Sequence, residues 1–142
     1  MRFIFNRKNI FNQDVFDLLH LNFADDLQCP PLYQYINMME CDYWFILYDE
    51  KSKEIIAECS ASFENDNVVE INDVLVVEKY RGKRYSEFLL MNVLYHFANT
   101  RLLVKICSYL QNEPAYKSYK KVFGEPWRVD DTYAYFCLSV GN

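Results

Sequence analysis

The chain has 142 residues, the length of one domain, so we expect a single domain over 1–142. Hydrophobic residues make up 51% of the chain and aromatic residues 18%, a composition that excludes an intrinsically disordered protein. The formal net charge of −5 argues against a nucleic-acid-binding protein, which would carry a broad basic face.

The first half of the chain changes from helical to strand periodicity. Apolar residues at helical spacing predict two amphipathic helices on either side of a CPP break, and alternating apolar residues then predict three strands joined by short turns. Strands joined in this way form an antiparallel meander. In chain order, these elements are a strand over 2–5, helices over 12–23 and 32–40, and strands over 43–49, 54–64 and 68–78.

The second half alternates helices with strands. A strand–helix–strand unit implies a parallel pairing with a right-handed crossover. The sequence therefore predicts an α/β (α+β) fold in which a mixed central sheet has antiparallel early strands, a parallel step in the middle and helices on both faces. The elements are helices over 86–98 and 112–124 and strands over 102–109 and 132–140.

A basic loop, KYRGKRYS (79–86), connects the third meander strand to the next helix. Unpaired N–H groups at the start of a helix, together with the helix dipole, favour an anion such as a pyrophosphate. A capped, solvated loop is the alternative reading of the same residues. Farther on, Asn112, Ala115 and Tyr119 share one face of the predicted helix, where the small Ala115 would let a ligand approach. A plain core role is the alternative for Tyr119.

Together the two segments resemble the GNAT superfamily of acetyl-CoA-dependent N-acyltransferases. The family's cofactor loop often reads Val-x-Pro-x-Tyr-Arg-Gly-Lys-Gly-x-Gly, and VVEKYRGKRYS (76–86) departs from it at Glu78, Arg84 and Ser86. The family's second signature is Asn-x-x-Ala-x-x-x-Tyr before a Lys-x-x-Gly ending. The matching residues are Val76, Tyr80, Arg81, Gly82 and Lys83 in the loop, and Asn112, Ala115, Tyr119, Lys121 and Gly124 in the helix.

The resemblance implies an N-acetyltransferase that uses acetyl-CoA as cosubstrate and no metal. The pantetheine arm would lie in an opening beside the third meander strand, with a backbone N–H there stabilising the tetrahedral oxyanion. Arg84 is expected to be strained if its position requires a positive φ, and weakened cofactor binding is one consequence. The implied cofactor-binding residues are Leu75, Val76, Val77, Arg81, Gly82, Lys83, Arg84, Tyr85, Ser86, Asn112 and Ala115.

Two side chains are the catalytic candidates. Tyr119 is expected to protonate the leaving thiolate, and Glu70 to take the proton of the amine, as a glutamate does in some family members. Strand parity places Glu70 and Val76 on one face unless a β-bulge intervenes, in which case Asp73 becomes the alternative base. The alternative interpretation is that Glu70 is an exposed carboxylate on the strand without a catalytic role.

The acceptor would be an amine-bearing small molecule or protein. Residues 12–42, which form the acceptor wall in the family, hold most of the acidic excess, and this favours a cationic amine such as a lysine side chain, a peptide N-terminus or a polyamine. Arg84 motivates a second hypothesis, a catalytically inactive acyl-CoA-binding or protein-interaction module on the same fold. A monomer and a homodimer both remain open.

The cysteines and the N-terminus indicate the compartment. The five cysteines lack metal-ligand spacing among themselves and with the two histidines, which indicates reduced thiols and a cytoplasmic protein. Cys107 and Cys137 are assigned to the core. The N-terminal segment has no long apolar stretch, so we expect neither a signal peptide nor a membrane contact.

Overall fold

The computed structural model describes residues 2–7, 43–49, 51–52 and 54–140. The helices predicted over 12–23 and 32–40 lie outside the described residues. No helix in the described part of the chain is both long and apolar enough to cross a membrane.

Seven strands and two α-helices make up the described structure. A 3₁₀ turn, Glu78–Tyr80, follows the fourth strand, which therefore ends two residues earlier than predicted. The strands are β1 (Arg2–Arg7), β2 (Tyr43–Asp49), β3 (Glu54–Asn65), β4 (Val68–Val76), β5 (Leu103–Tyr109), β6 (Arg128–Val129) and β7 (Tyr133–Ser139). The helices are α1 (Tyr85–His96) and α2 (Glu113–Phe123).

The strands form one mixed sheet in the order β1-β2-β3-β4-β5-β7-β6. The β4–β5 pair is parallel and the other neighbours are antiparallel, which confirms the predicted fold class. The chain crosses from β4 to β5 through α1, as a parallel connection requires. The unpredicted β6 has only two residues, too few to carry a periodic pattern.

The parallel pair β4–β5 separates soon after it forms. Its paired residues are Val68 to Glu70 on β4 and Leu103 to Lys105 on β5. Beyond them β4 stays bonded to β3, while β5 stays bonded to β7 as far as Tyr109. An opening therefore begins in the middle of the sheet and lies between the carboxyl ends of these two strands.

A β-bulge in β4 reverses the side-chain direction along the strand. Ser60 of β3 pairs with Asn72, but Glu58 pairs with Leu75, so β4 holds one more residue than β3 in this interval. Ile71 lies in the core, and after the bulge Val74 and Val76 pack against the same core. Glu70 therefore lies on the face opposite Val76, the arrangement expected for the case in which a bulge interrupts the strand.

Both described helices pack on one face of the sheet. Leu89, Leu90 and Val93 of α1 are 0% exposed and belong to the same core cluster as Phe123 of α2. Truncating one such leucine to alanine costs roughly 2–5 kcal/mol.

The core assignment of Cys107 is wrong. Its side chain is exposed, because it alternates with buried Ile106 on β5. Cys137 is half-buried.

Candidate active site

A cavity of about 590 Å³ lies where β4 and β5 diverge. The end of β4 forms one wall, the segment from Tyr80 to Glu87 forms the second, and α2 as far as Lys121, with the turn before it, forms the third. This volume lies within the range of cavities that hold a small molecule or cofactor.

Most of the predicted cofactor residues line this cavity. The lining set includes Val76, Arg81, Gly82, Arg84, Tyr85, Ser86, Asn112 and Ala115, and also Tyr119. Three predicted residues, Leu75, Val77 and Lys83, do not line it. Leu75 is 1% exposed and paired with Glu58, so its side chain is buried away from the cavity. The lining residues that the sequence did not single out as site residues include Glu87, Lys117, Ser118 and Lys121.

Two residues of the basic loop adopt a left-handed backbone. Gly82 has φ 77°, and a Cβ built there would meet no atom within 4 Å, so the requirement for glycine is conformational and not steric. Arg84 has φ 64° and ψ 23° and stands at the N-cap of α1. The sequence predicts strain for this case, since an L-residue with a side chain disfavours this region.

The cations of the loop differ in where they point. The Lys79 ammonium and the Tyr80 hydroxyl both contact the carboxylate of Glu54 at the start of β3. Their hydrogen bonds lower the pKa of Glu54 and raise the pKa of Lys79. Lys79 is therefore engaged outside the cavity, whereas Arg81 and Arg84 line it.

The backbone of Val76 faces the opening between the strands. The Val77 N–H donates to the Ile56 carbonyl of β3 at 2.8 Å, and neighbouring residues of a strand direct their backbone groups to opposite sides. The N–H and carbonyl of Val76 thus point away from β3, and Arg81 Nε donates to that carbonyl at 3.0 Å. Among Leu75, Val76 and Val77, the implied cofactor-binding residues at this end of β4, Val76 is the one whose backbone is directed at the opening.

The two helices meet at the end of the cavity that the basic loop lines. Ser86 Oγ lies 3.1 Å from Ser118 Oγ, which links the first turn of α1 to the middle of α2. Glu87 Oε1 lies 3.5 Å from Lys121 Nζ, and Glu87 Oε2 lies 4.0 Å from Arg84 Nε. This end of the cavity therefore contains both cations and an acidic side chain.

Helix α2 presents Tyr119 to the cavity. Its ring packs edge-on against Phe136 with 6.1 Å between centroids, and the residue is 6% exposed. Asn112 caps this helix, because its Oδ1 accepts the Ala115 N–H at 3.3 Å. The first residue of the predicted signature thus holds the helix that carries Ala115 and Tyr119.

The predicted base lies on the other side of the sheet. Glu70 pairs with Lys105 at the last position before β4 and β5 separate. Burial and the negative charge of Glu64 raise the pKa of Glu70, while Lys105, bonded to Glu64 at 2.8 Å, acts in the opposite direction. Asp73 lies on β4 at the bulge, and its side chain is outside the described residues.

Solved structures with the same fold are numerous. The chain superposes on Arabidopsis thaliana NAA60 in complex with a bisubstrate analogue with a TM-score of 0.67 and 16% identity, covering 99% of each chain. Spermidine N-acetyltransferase from Vibrio cholerae, solved with CoA and spermine, gives 0.70 and 14%, covering 97% of this chain and 95% of that one. Campylobacter jejuni N-acetyltransferase PseH, solved with acetyl coenzyme A, gives 0.66 and 13%, covering 97% and 99%.

The family assignment comes from a match to a sequence-family model. A search of curated proteins finds no significant match. The model of the acetyltransferase (GNAT) family matches residues 12–124, which is most of the chain and includes the loop, α1, β5 and α2. The chain therefore belongs to the GNAT acetyltransferase family.

Proposed function

We propose that this protein is an N-acetyltransferase that moves an acetyl group from acetyl-CoA to a primary amine by direct attack in a ternary complex. The observation that carries the proposal is the cavity between the diverging strands, which brings the basic loop, the inward-facing backbone of Val76 and Tyr119 to one site. Two relatives of the same fold were solved with CoA and with acetyl coenzyme A.

In this proposal the pyrophosphate of the cofactor lies at the loop. Backbone N–H groups between Gly82 and Ser86, the positive end of the α1 dipole and the guanidinium groups of Arg81 and Arg84 favour that charge. The pantetheine arm runs into the opening, where it pairs with Val76. The Val76 carbonyl and the phosphates compete for the N–H donors of Arg81. Arg81 therefore releases the carbonyl and turns to the phosphates.

Acyl transfer follows from these positions. The neutral amine attacks the thioester carbonyl carbon, and the Val76 N–H stabilises the negative charge that develops on the carbonyl oxygen. The C–S bond then breaks, and the Tyr119 hydroxyl gives its proton to the sulfur. A phenol with a pKa of about 10 and a thiol with a pKa of about 8.5 are close enough for this transfer.

Glu70 takes the proton that the amine loses. The bulge places Glu70 and the cavity on opposite faces, so the amine arrives from the face of Glu70 and meets the acetyl group in the opening. If the amine does not contact the carboxylate directly, a water molecule between them carries the proton. The raised pKa of Glu70 makes it a stronger base than an exposed glutamate.

A cationic primary amine is the favoured acceptor. Glu64, Glu70 and Lys105 together carry a net charge of −1 on the face from which the amine arrives, in addition to the acidic excess of 12–42 in the sequence. The Vibrio cholerae relative acts on spermidine, a polyamine of this charge type. Lysine side chains and peptide N-termini present the same ammonium group.

The second candidate is an inactive module that keeps the GNAT fold but has lost catalytic turnover. Two observations favour it: Arg84 holds a left-handed backbone that suits glycine, and the carboxylate of Glu87 lines the cavity at its phosphate end. Such a module would bind acyl-CoA, or a protein partner, without acetylating an amine.

An amine panel separates the two. Purified protein is incubated with acetyl-CoA and with spermidine, a lysine peptide, a peptide with a free N-terminus or a neutral arylamine, and acetylated product is detected by mass spectrometry. We expect acetylation of at least one cationic amine and a loss of about a hundredfold in kcat for Tyr119→Phe. Acetyl-CoA binding that gives no acetylated product, and that Tyr119→Phe leaves unchanged, would instead support the inactive module.

A further inference from the structure

Glu87 is an acidic side chain at the end of the cavity where the proposed cofactor carries its negative charge. It stands in the first turn of α1 and lines the cavity together with Arg84 and Lys121. We propose that Glu87 is an internal counter-anion, which neutralises these two cations and thereby limits the affinity of the cavity for polyphosphate ligands. The identity of that polyphosphate as the CoA moiety rests on the proposed function.

The position of Glu87 keeps its charge in place. A carboxylate in the first turn of a helix interacts favourably with the positive end of the helix dipole. The Glu87 side chain is 16% exposed, against 80% for Arg84, so the carboxylate is partly desolvated and screened less by salt than a surface charge. The charge therefore acts on whatever enters the phosphate end of the cavity.

The contacts of Glu87 engage the groups that would attract phosphate. Its two oxygens face different partners, Oε1 with Lys121 Nζ at 3.5 Å and Oε2 with Arg84 Nε at 4.0 Å. These cations come from different elements, one from α2 and one from the loop, and the carboxylate lies between them. Lys117, another lining cation, is paired with Glu113 at 3.1 Å, but that carboxylate is 72% exposed and does not line the cavity.

A polyphosphate entering the cavity must therefore compete with Glu87. Either Lys121 and Arg84 transfer from the carboxylate to the phosphate, which leaves Glu87 as a nearby like charge, or they remain and the phosphate gains less from them. In both cases the carboxylate weakens binding of an anion and leaves binding of a neutral ligand unaffected. Glu87 thus sets how strongly affinity depends on the charge of the ligand.

The test compares ligands that differ in charge. Dissociation constants of CoA, 3′,5′-ADP and pantetheine are measured by calorimetry for wild type and Glu87→Gln. We expect Glu87→Gln to bind CoA and 3′,5′-ADP roughly tenfold more tightly, the effect of one charge about 6 Å away in a partly screened site. Pantetheine affinity should not change, and the gain should shrink towards about threefold or less at 0.5 M salt, where the Debye length is only about 4 Å.

Two further variants separate charge from structure. Glu87→Asp keeps the charge and should bind CoA within about threefold of wild type, whereas Glu113→Gln removes a carboxylate from another lining lysine and should change affinity by less than about twofold. Equal or weaker CoA and 3′,5′-ADP binding by Glu87→Gln, or no binding by either protein, would overturn the role of Glu87. Tighter 3′,5′-ADP binding by Glu87→Gln without acetylation of any amine would support Glu87 and contradict the proposed enzyme.

Discussion

The left-handed backbone of Arg84 gives a prediction that needs no ligand. Replacing Arg84 by glycine removes a Cβ from φ 64°, ψ 23°, a conformation that costs a non-glycine residue roughly 1–2 kcal/mol. Glycine loses more freedom on folding, which offsets about 0.5–1 kcal/mol of the gain. The Arg84 side chain is 80% exposed and 4.0 Å from Glu87, so its loss costs little.

Arg84→Ala is the matched control for this substitution. Alanine removes the same guanidinium but retains the Cβ, so the difference between the two variants isolates the backbone conformation. We expect Arg84→Gly to be about 1 kcal/mol more stable than Arg84→Ala, which corresponds to roughly 3 °C in Tm for a chain of this size.

Urea unfolding with linear extrapolation measures both free energies. Equal stability of the two variants, or greater stability of Arg84→Ala, would show that position 84 does not require a positive φ. The same two variants also separate the loss of the guanidinium from the backbone strain as contributions to CoA affinity. If the strained loop geometry limits binding, Arg84→Gly binds CoA more tightly than Arg84→Ala.

Three other predictions concern the basic loop, the proposed base and Asp130 in the turn between β6 and β7. Gly82→Ala should destabilise the protein by about 1 kcal/mol in urea unfolding, through φ 77° and without a clash, and an unchanged midpoint would contradict this. Glu70→Gln should lower kcat/KM about a hundredfold at pH 7. It should also abolish the rise of kcat/KM with pH that follows ionisation of Glu70, whose pKa is raised above its usual 4.5. An unaltered pH profile would exclude Glu70 as the base. Asp130 accepts two backbone N–H groups and the Tyr135 hydroxyl, which lower its pKa from 3.8 to about 2. The ionised form stabilises the fold, so Asp130→Asn should lower the urea midpoint at pH 7, and the difference from wild type should disappear as pH falls from 3.8 towards 2; a difference independent of pH would refute this origin.

The order of strands and helices could be predicted from periodicity in the part of the chain that the structure describes. Alternation identified β2 to β5 and β7, and the helix between β4 and β5 required their parallel pairing. The two signatures also brought most cavity residues into the predicted set. These features depend on local spacing, which a sequence displays directly.

What the sequence did not predict depends on contacts between distant segments. The bulge in β4 follows from its register with β3, and it separated Glu70 from the face of Val76. Lys79 belongs to the basic loop by sequence, but Glu54, from the start of β3, engages it. Glu87 reads as a helix surface residue until α2 brings Lys121 beside it. Its position in the first turn of α1, directly after the loop, was the one local signal that could have marked it.

Calorimetric titration with acetyl-CoA tests the central claim most directly. ATP serves as a comparison ligand, and Arg81→Ala and Gly82→Pro serve as variants of the loop. We expect one acetyl-CoA to bind per chain, more tightly than ATP, with an affinity that either substitution weakens, because both disturb the phosphate end of the cavity. No heat of binding at near-millimolar acetyl-CoA would contradict the claim that this cavity holds the cofactor.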